Sequence, residues 1–160
     1  MSLRQCTRCI ALKKDGTQCT RRTCKYSNMC WQHTKALKGL QIKPSGIPNA
    51  GLGLFTSKPF TNNQTIARFG GDIVPYEQYR ENPSGYGIHI NNRTILDSKS
   101  TQSGMARYAN TCKTENRRDG DCVSNNSRIV VNPRNQTASL RATRRIPIGN
   151  EVFAAYGNRF

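Results

Sequence analysis

Cysteine and histidine residues cluster at the start of this 160-residue chain, and their spacing constrains how that part can fold. The cluster C-x9-C-x10-C-x2-H consists of Cys9, Cys19, Cys30 and His33. A structural zinc ion takes four thiolate or imidazole ligands in a tetrahedron, so this pattern predicts a small zinc-stabilised module. Such a module folds around its metal and needs little hydrophobic core of its own. Cys6 and Cys24 also lie near enough in sequence to serve as ligands.

The alternatives to a metal site are a disulfide framework and free thiols. Disulfides occur mainly in secreted proteins, and the N-terminus carries no apolar signal stretch. The total of seven cysteines is also odd, so disulfides alone would leave one thiol over. We therefore favour zinc for the cluster. We expect Cys112 and Cys122, which lie far from it in sequence, to be free buried thiols.

The chain holds 25 lysines and arginines against 9 acidic residues, a formal net charge of +16. This charge excludes an acidic solvating protein and favours contact with polyanions such as nucleic acid or chromatin. Residues 1–45 hold 10 of the basic residues and one acid, and a Pro- and Gly-rich stretch follows at 43–51. We therefore predict a basic zinc-binding module at 1–45 and a second domain at 46–160. The sequence contains no run of about 18 apolar residues, so it predicts no membrane helix. We also expect an intracellular, non-secreted protein.

The second domain consists of short β-prone segments separated by turn residues. We predict strands at residues 53–55, 65–69, 85–90, 94–96, 128–131, 139–142 and 151–156. Asn91-Asn92 and residues 132–135 are turn sequences, so each should join its flanking strands into a hairpin. Helical periodicity is weak, and short helices are expected only near 31–37 and 76–80. The pattern predicts a mainly β domain of the α+β type.

Five motifs follow one another in order through this second domain. They are Gly51-Leu52-Gly53-Leu54-Phe55, Phe69-Gly70-Gly71-Asp72, Leu96-Asp97 with Tyr86 before it, Arg107-Tyr108-Ala109-Asn110-Thr111-Cys112, and Gly149-Asn150-Glu151 with Ala155-Tyr156-Gly157. In this order and separation the chain, from about residue 46 onward, resembles a SET-domain protein lysine methyltransferase. The resemblance implies a pseudoknotted fold of several short sheets, with the C-terminal segment threaded under a loop so that Asn110 and Tyr156 meet.

The N-terminal segment has a resemblance of its own. From Arg8 to His33 it is similar to a small Cys3His module that recurs in proteins of large DNA viruses and their relatives. The pattern of that module matches the four predicted zinc ligands and leaves Cys6 and Cys24 outside the site. The chain is thus similar to a small, viral-type SET protein with a zinc-binding module in front.

The SET resemblance implies transfer of a methyl group from S-adenosylmethionine to a lysine ε-amine, and it assigns roles to residues of this sequence. Tyr156 would be catalytic, with Tyr108 as a second catalytic candidate. The residues implied to hold the cofactor are Leu52, Gly53, Leu54, Arg107, Asn110 and Thr111. The residues implied to line the lysine channel are Tyr86, Phe69, Phe153 and Ala154. Aromatic walls suit the aliphatic stem and cationic head of a lysine.

The sequence departs from the family pattern at several of these positions. Thr111 stands where the family has a histidine, Phe69 where a tyrosine is usual, and Ala154 where an aromatic side chain limits the number of methyl groups. The family's cysteine-rich tail is also missing after Gly157. Phe160, the zinc module or a second copy of the chain, in a homodimer, would have to close the substrate channel instead.

Two functions therefore stay open. The first is an active methyltransferase that acts on a protein lysine, with a histone as the expected substrate, while its basic module contacts nucleic acid. The second is a zinc-containing nucleic-acid or chromatin-binding protein whose SET fold is a catalytically weak scaffold. Under either function we expect the protein to be located in the nucleus, or in the viral factory or virion of a host cell.

Overall fold

A computed structural model of the protein describes residues 6–23, 28–100, 103–112 and 124–156. Its strands are β1 Thr7–Arg8, β2 Arg22–Thr23, β3 Leu40–Pro44, β4 Leu52–Thr56, β5 Thr65–Phe69, β6 Asp72–Pro75, β7 Gly87–Asn91, β8 Thr94–Asp97, β9 Ser127–Asn132, β10 Thr137–Ala142, β11 Glu151–Val152 and β12 Ala154–Ala155. Its helices are α1 Trp31–His33, which continues as a π-helix at Thr34–Lys38, α2 Tyr76–Glu81, and a 3-10 turn at Ala106–Tyr108. None of the described helices has the length and hydropathy that crossing a membrane requires.

The strands form four small sheets, with strand orders β1-β2, β12-β9-β10-β5, β11-β4-β3 and β6-β8-β7. The predicted mainly β architecture is confirmed. Both predicted hairpins are present, since β7 pairs with β8 and β9 pairs with β10 in antiparallel register. The sheets enclose one main core, in which Leu54, Phe60, Leu140 and Ile146 are almost fully buried.

The zinc-module segment and the second domain are joined through β3, which precedes residue 46. β3 pairs with β4 along its whole length, from Leu40 opposite Thr56 to Pro44 opposite Leu52. The π-helix before it ends at Gly39 in the left-handed conformation (φ 68°), which glycine adopts without strain. The Ser57 backbone N–H donates to the Gly39 carbonyl (2.7 Å) and the Ser57 hydroxyl to the Lys35 carbonyl (2.6 Å). The end of the module is thereby attached to the second domain.

The last predicted strand, 151–156, was wrong as a single element. Glu151–Val152 pairs with β4, whereas Ala154–Ala155 runs parallel to β9 in another sheet. The chain changes sheets at Phe153, whose N–H donates to the Asn126 side chain while its carbonyl accepts from the Ser127 backbone. A strand that changes sheets keeps an apolar sequence pattern throughout, so periodicity could not reveal the break.

The segment around Phe153 and Ala154 is bonded on both sides. On one side, the Ala154 N–H donates to the Asn110 carbonyl (2.8 Å), and Phe153 forms a parallel bridge with Asn110. On the other side lie Asn126 and the start of β9. The C-terminal segment therefore lies between two other parts of the chain, as the pseudoknotted fold requires.

Candidate active site and metal centre

A glycine turn and an asparagine side chain meet at one edge of the β3–β4 hairpin. Gly51 adopts φ +73°, and no atom lies within 4 Å of where its Cβ would be, so the turn presents open backbone. Leu52 follows it, with 39% of its surface exposed. The Asn110 amide donates to the Leu52 carbonyl over 3.0 Å, although 58 positions separate the two residues. Backbone and amide groups at an open turn are the kind of polar contacts that orient a small-molecule cofactor.

Tyr156 lies immediately beside this edge. Its hydroxyl donates to the Ala109 carbonyl over 2.5 Å, a short bond that fixes the position of the oxygen. Ala109 directly precedes Asn110, so this bond places the tyrosine next to the glycine turn. The side chain is half-buried and packs against the main core.

A cavity of about 200 Å³ opens next to the Tyr156 ring. Its walls include Phe69 and Tyr86, two of the predicted channel residues, together with Ile88 and Ala106. These walls are mostly apolar and aromatic, which suits a long aliphatic side chain that carries a cationic head. The cavity thus lies where a substrate side chain could reach the tyrosine hydroxyl.

Arg107 also lines this cavity, and its cofactor role stays a prediction. Its guanidinium carbon lies 4.1 Å from the centroid of the Tyr86 ring, a cation–π contact, and 4.9 Å from that of Tyr108. The guanidinium also donates to the carbonyls of Ser98 (2.8 Å) and Lys99 (3.2 Å). Arg107 therefore joins the Tyr86 wall to the segment that follows β8.

A buried carboxylate holds the segment that carries Tyr86. Asp97, at the end of β8, is 5% exposed and accepts from the Ser84 hydroxyl (2.6 Å) and the Lys99 backbone N–H (3.1 Å). The Ser84 oxygen in turn accepts from the Tyr86 N–H at 3.0 Å. The acid in the Leu96-Asp97 motif thus orders one wall of the cavity through its hydrogen bonds.

The four predicted zinc ligands form a second site. The sulfur atoms of Cys9, Cys19 and Cys30 and a ring nitrogen of His33 all lie within 4.8 Å of one another. His33 Nδ1 lies 3.5 Å from Cys9 Sγ and 3.3 Å from Cys30 Sγ. Ligand atoms of a tetrahedral zinc site lie roughly 3.5–3.8 Å apart, given Zn–S bonds of about 2.3 Å. The donor set and its spacing therefore fit a structural zinc ion bound through His33 Nδ1.

Local structure brings these ligands together. A two-stranded ribbon of β1 and β2 brings Cys9 and Cys19 close, and the Cys19 N–H donates to the Ala11 carbonyl (2.9 Å). Cys30 caps the start of α1, so His33 follows on its first turn. The Cys30 N–H donates to Cys9 Sγ over 3.1 Å. Burial raises the pKa of the Cys9 thiol, but the hydrogen bonds that it receives outweigh burial and lower it to about 7.

The part of the chain that forms the cavity and the sheets around it matches one known family. The family described as "SET domain" matches residues 51–157. The chain belongs to the SET-domain family. Members of this family are protein lysine methyltransferases, and the predicted resemblance is confirmed. No curated protein matches the chain.

The SET fold is also supported by a solved structure, a humanized mutant of the Chaetomium thermophilum Polycomb Repressive Complex 2 bound to an inhibitor. The TM-score is 0.60 at 19% sequence identity, so the likeness concerns the fold. The alignment covers 76% of this chain but 15% of that one. This chain is therefore similar to a small part of a much larger protein.

The remaining predicted site residues of the SET domain are buried or half-buried. Gly53 and Leu54 are buried in β4, with their backbone beside the glycine turn, and Thr111 is half-buried after Asn110. Tyr108 and Ala154 lie in the main core. Phe153 is half-buried at the sheet change, and neither it nor Ala154 is among the residues that line the 200 Å³ cavity. The assigned roles of these residues stay predictions.

Cys6 and Cys112 lie outside the zinc cluster, and each of them is in a disulfide bond. Cys6 is therefore not a zinc ligand, in agreement with the Cys3His pattern. The expectation of a free thiol was wrong for Cys112, which is buried but bonded. Spacing alone cannot predict which cysteines approach each other in the fold. Cys24, Cys122 and Phe160 lie outside the described residues.

The sequence analysis missed Glu151, a buried carboxylate behind the glycine turn. It is 8% exposed, and its oxygens accept from the Ser45 hydroxyl (2.6 Å), the Gly46 N–H (2.9 Å) and the Asn110 amide (3.4 Å). A Cβ on Gly53 would collide with this carboxylate, so the second glycine of the Gly-x-Gly turn makes room for Glu151. Only the family motif around Gly149 marked this acid, and it assigned no role.

Replacing Glu151 with alanine should lower the free energy of unfolding by about 1–3 kcal/mol, because the partly buried hydrogen bonds from the Ser45 hydroxyl and the Gly46 N–H to this charged acceptor are lost. Urea unfolding followed by circular dichroism measures this change. The matched control is Glu77→Ala, since Glu77 is 73% exposed and forms a surface ion pair with Arg80. Equal unfolding midpoints for the two variants would show that Glu151 does not hold the turn.

Proposed function

We propose that this protein transfers a methyl group from S-adenosylmethionine to the ε-amine of a lysine in a protein substrate. One observation carries the proposal: the Tyr156 hydroxyl, the Asn110 amide and the Leu52 turn lie together beside a cavity with aromatic walls. They come from three distant parts of the sequence. A tyrosine with only a structural role would not need an open glycine turn on one side and an aromatic cavity on the other.

Different residues of the chain would bind the cofactor, contact the reacting group and orient the lysine. Asn110 and the backbone at Leu52–Leu54 would hold S-adenosylmethionine, which supplies a methyl group activated on a sulfonium. The Tyr156 hydroxyl donates a hydrogen bond to the Ala109 carbonyl, and its oxygen would make weak C–H···O contacts with the reacting group. Phe69 and Tyr86 would orient the lysine stem. Most of the catalysis would then come from positioning.

The lysine must lose a proton before it can attack, because its free pKa is about 10.4. An apolar cavity disfavours the charged ammonium and lowers this pKa. Phe69, Ile88 and Ala106 supply such a wall here. Such a channel would be poorly solvated, so deprotonation of the lysine would cost less free energy there than in water.

We take a histone as the substrate. The strongly basic chain cannot attract a basic tail by its net charge, so that charge would contact DNA beside the tail. Asp72 and Glu81 are exposed acids that could face the tail, whereas Glu77 is paired with Arg80 at 3.1 Å. The basic residues of the zinc module would add nucleic-acid contacts. This function would place the protein in the nucleus or in the viral factory of a host cell.

The alternative function, a chromatin-binding protein with a weak SET scaffold, is favoured by one observation. The Arg107 guanidinium covers the face of Tyr86 at 4.1 Å and therefore occupies an aromatic surface that a lysine would use. Thr111 in place of the usual histidine points the same way. Under this alternative the protein would bind nucleic acid without transferring methyl groups.

Incubation with radiolabelled S-adenosylmethionine and core histones separates the two functions. We expect label on native histones and none on histones whose lysines have been chemically acetylated, because acetylation removes the nucleophile. Calorimetry measures cofactor binding in parallel. Cofactor binding with no label would overturn the histone assignment and redirect the search to other protein substrates. Neither binding nor label would overturn the methyltransferase proposal and leave the alternative.

A further inference from the structure

The outward face of the four-stranded sheet carries an arginine cluster on adjacent strands. Arg141 on β10 stands directly opposite Arg128 on β9. Arg68 on β5 stands opposite Ser139, two residues before Arg141 on the same face of β10. The alternate residues of β10, such as Leu140, point into the core. The three arginines thus share the solvent side of the sheet.

This arrangement is costly without a partner. Like charges directly opposite each other on neighbouring strands destabilise a sheet. The strands β5, β9 and β10 and the turn at 133–136 contain no acidic residue. The two ion pairs found among the described residues, Arg80–Glu77 and Lys99–Asp97, lie elsewhere. Arg141 Nε is buried and has no hydrogen-bond partner in the described part of the chain. An anionic ligand would reduce the repulsion between the arginines and would accept a hydrogen bond from the unpaired Arg141 Nε.

The same face forms a cleft of about 490 Å³. Arg68, Arg134 and Arg141 line it, with the hydroxyl groups of Thr65 and Ser139 between them. A β-bulge in the pairing of β10 with β5 falls between Leu140 and Arg141, and bulges re-aim the side chains that follow them. In the β9–β10 turn, the Asn132 side chain accepts from the Arg134 N–H (3.1 Å), which fixes that turn. The cleft is therefore a defined structure with three cationic side chains.

The chemistry of the cleft selects its ligand. Guanidinium groups match the geometry of phosphate oxygens, and serine and threonine hydroxyls are common additional donors to phosphate. Among the residues that the structure describes, no aromatic side chain lines the cleft, so unpaired bases would have nothing on which to stack. We propose that this face of the sheet, centred on Arg68, Arg128 and Arg141, binds the phosphate backbone of double-stranded DNA. It lies on the reverse side of the sheet from the cavity that Phe69 lines, so the proposal does not depend on methyl transfer.

The double variant Arg68→Gln/Arg141→Gln tests the proposal by fluorescence anisotropy with a short labelled DNA duplex. We expect it to bind at least about tenfold more weakly than wild type. The slope of log affinity against log salt, between about 50 and 200 mM, should fall by roughly 0.9 for each phosphate that the variant no longer neutralises. The matched control is Arg93→Gln/Arg145→Gln, which removes the same charge from exposed positions outside the cleft. Equal weakening in the two double variants would overturn the proposal, because net charge alone would then explain binding.

Two further variants keep the test independent of folding. Arg128→Gln removes the like-charge opposition, so we expect its Tm to rise while its DNA affinity falls; a fall in both would overturn the place of Arg128 in the binding face. Arg134→Glu changes an exposed turn residue and should also weaken binding without a change in Tm.

An acidic polypeptide such as polyglutamate should compete poorly with the duplex. Efficient competition would identify the face as a protein-binding surface and overturn the DNA assignment.

Discussion

Tyr156→Phe is expected to lower the rate of lysine methylation by about a hundredfold or more, the scale seen when one oriented polar group is removed from an active site. The hydroxyl is the only group that the substitution deletes. In the folded protein that oxygen is fixed by its 2.5 Å bond to the Ala109 carbonyl and lies beside the cavity. Its loss removes both the oxygen and the order that the bond imposes on the ring.

Steady-state kinetics with labelled cofactor measure the effect, and kcat should fall much more than KM rises, because the oxygen acts mainly in the transition state. Tyr76→Phe is the matched control. Tyr76 is a half-buried tyrosine on α2 whose ring contacts that of His89 in a tilted arrangement, with 5.3 Å between the ring centroids, and it is not among the cavity-lining residues. Equal activity of Tyr156→Phe and wild type would remove Tyr156 from the reaction.

Removal of zinc is expected to unfold the N-terminal module. The apolar cluster of that module consists of Cys9, Ala11, Cys19 and Cys30 with Met29 packed against it, so three of its five members are predicted zinc ligands. Structural zinc in comparable small modules contributes an apparent free energy of about 10–16 kcal/mol at neutral pH. No hydrophobic core of this size replaces such a contribution. The purified protein should contain one equivalent of zinc, and a chelator should abolish the order of residues 6–23 and 28–39.

The chain offers a matched pair for this test, because it contains only two histidines. His33→Ala should lose bound zinc, measured by elemental analysis, and should expose the module to limited proteolysis. His89→Ala changes a strand residue of the SET domain and should keep its metal. A metal-free wild-type protein whose module stays protected from protease would contradict the zinc assignment. Re-addition of Zn²⁺, but not Mg²⁺, should restore protection, since thiolates prefer the softer ion.

The parts that could be predicted from the sequence are those that short-range patterns determine. Asn91-Asn92 and residues 132–135 correctly marked two hairpins, because turn residues and alternating strands are local signals. The spacing of Cys9, Cys19, Cys30 and His33 marked a cluster that is also present in space. The ordered motifs identified the SET family, and that resemblance, rather than composition, predicted that Asn110 and Tyr156 would be neighbours.

The parts that could not be predicted depend on contacts between distant residues. Glu151 gains its role only when it reaches Ser45 and Gly46, more than a hundred positions away. Arg107 was assigned to the cofactor from its motif, whereas its contact with Tyr86 depends on how two segments pack. The break at Phe153 separates two equally apolar halves of a segment, so periodicity could not show it.

The bonds that build the site close long loops. Tyr156 is held by a residue 47 positions earlier, Asn110 reaches back 58 positions to Leu52, and Glu151 reaches back 105 to Gly46. Closing such a loop costs conformational entropy before the contact can stabilise the fold. Chains whose contacts mostly join distant residues therefore fold slowly. The two hairpins need no such search. We therefore expect the hairpins to form early and the active site to be among the last parts of the molecule to assemble, so that a kinetically trapped chain would keep much of its secondary structure yet have no site.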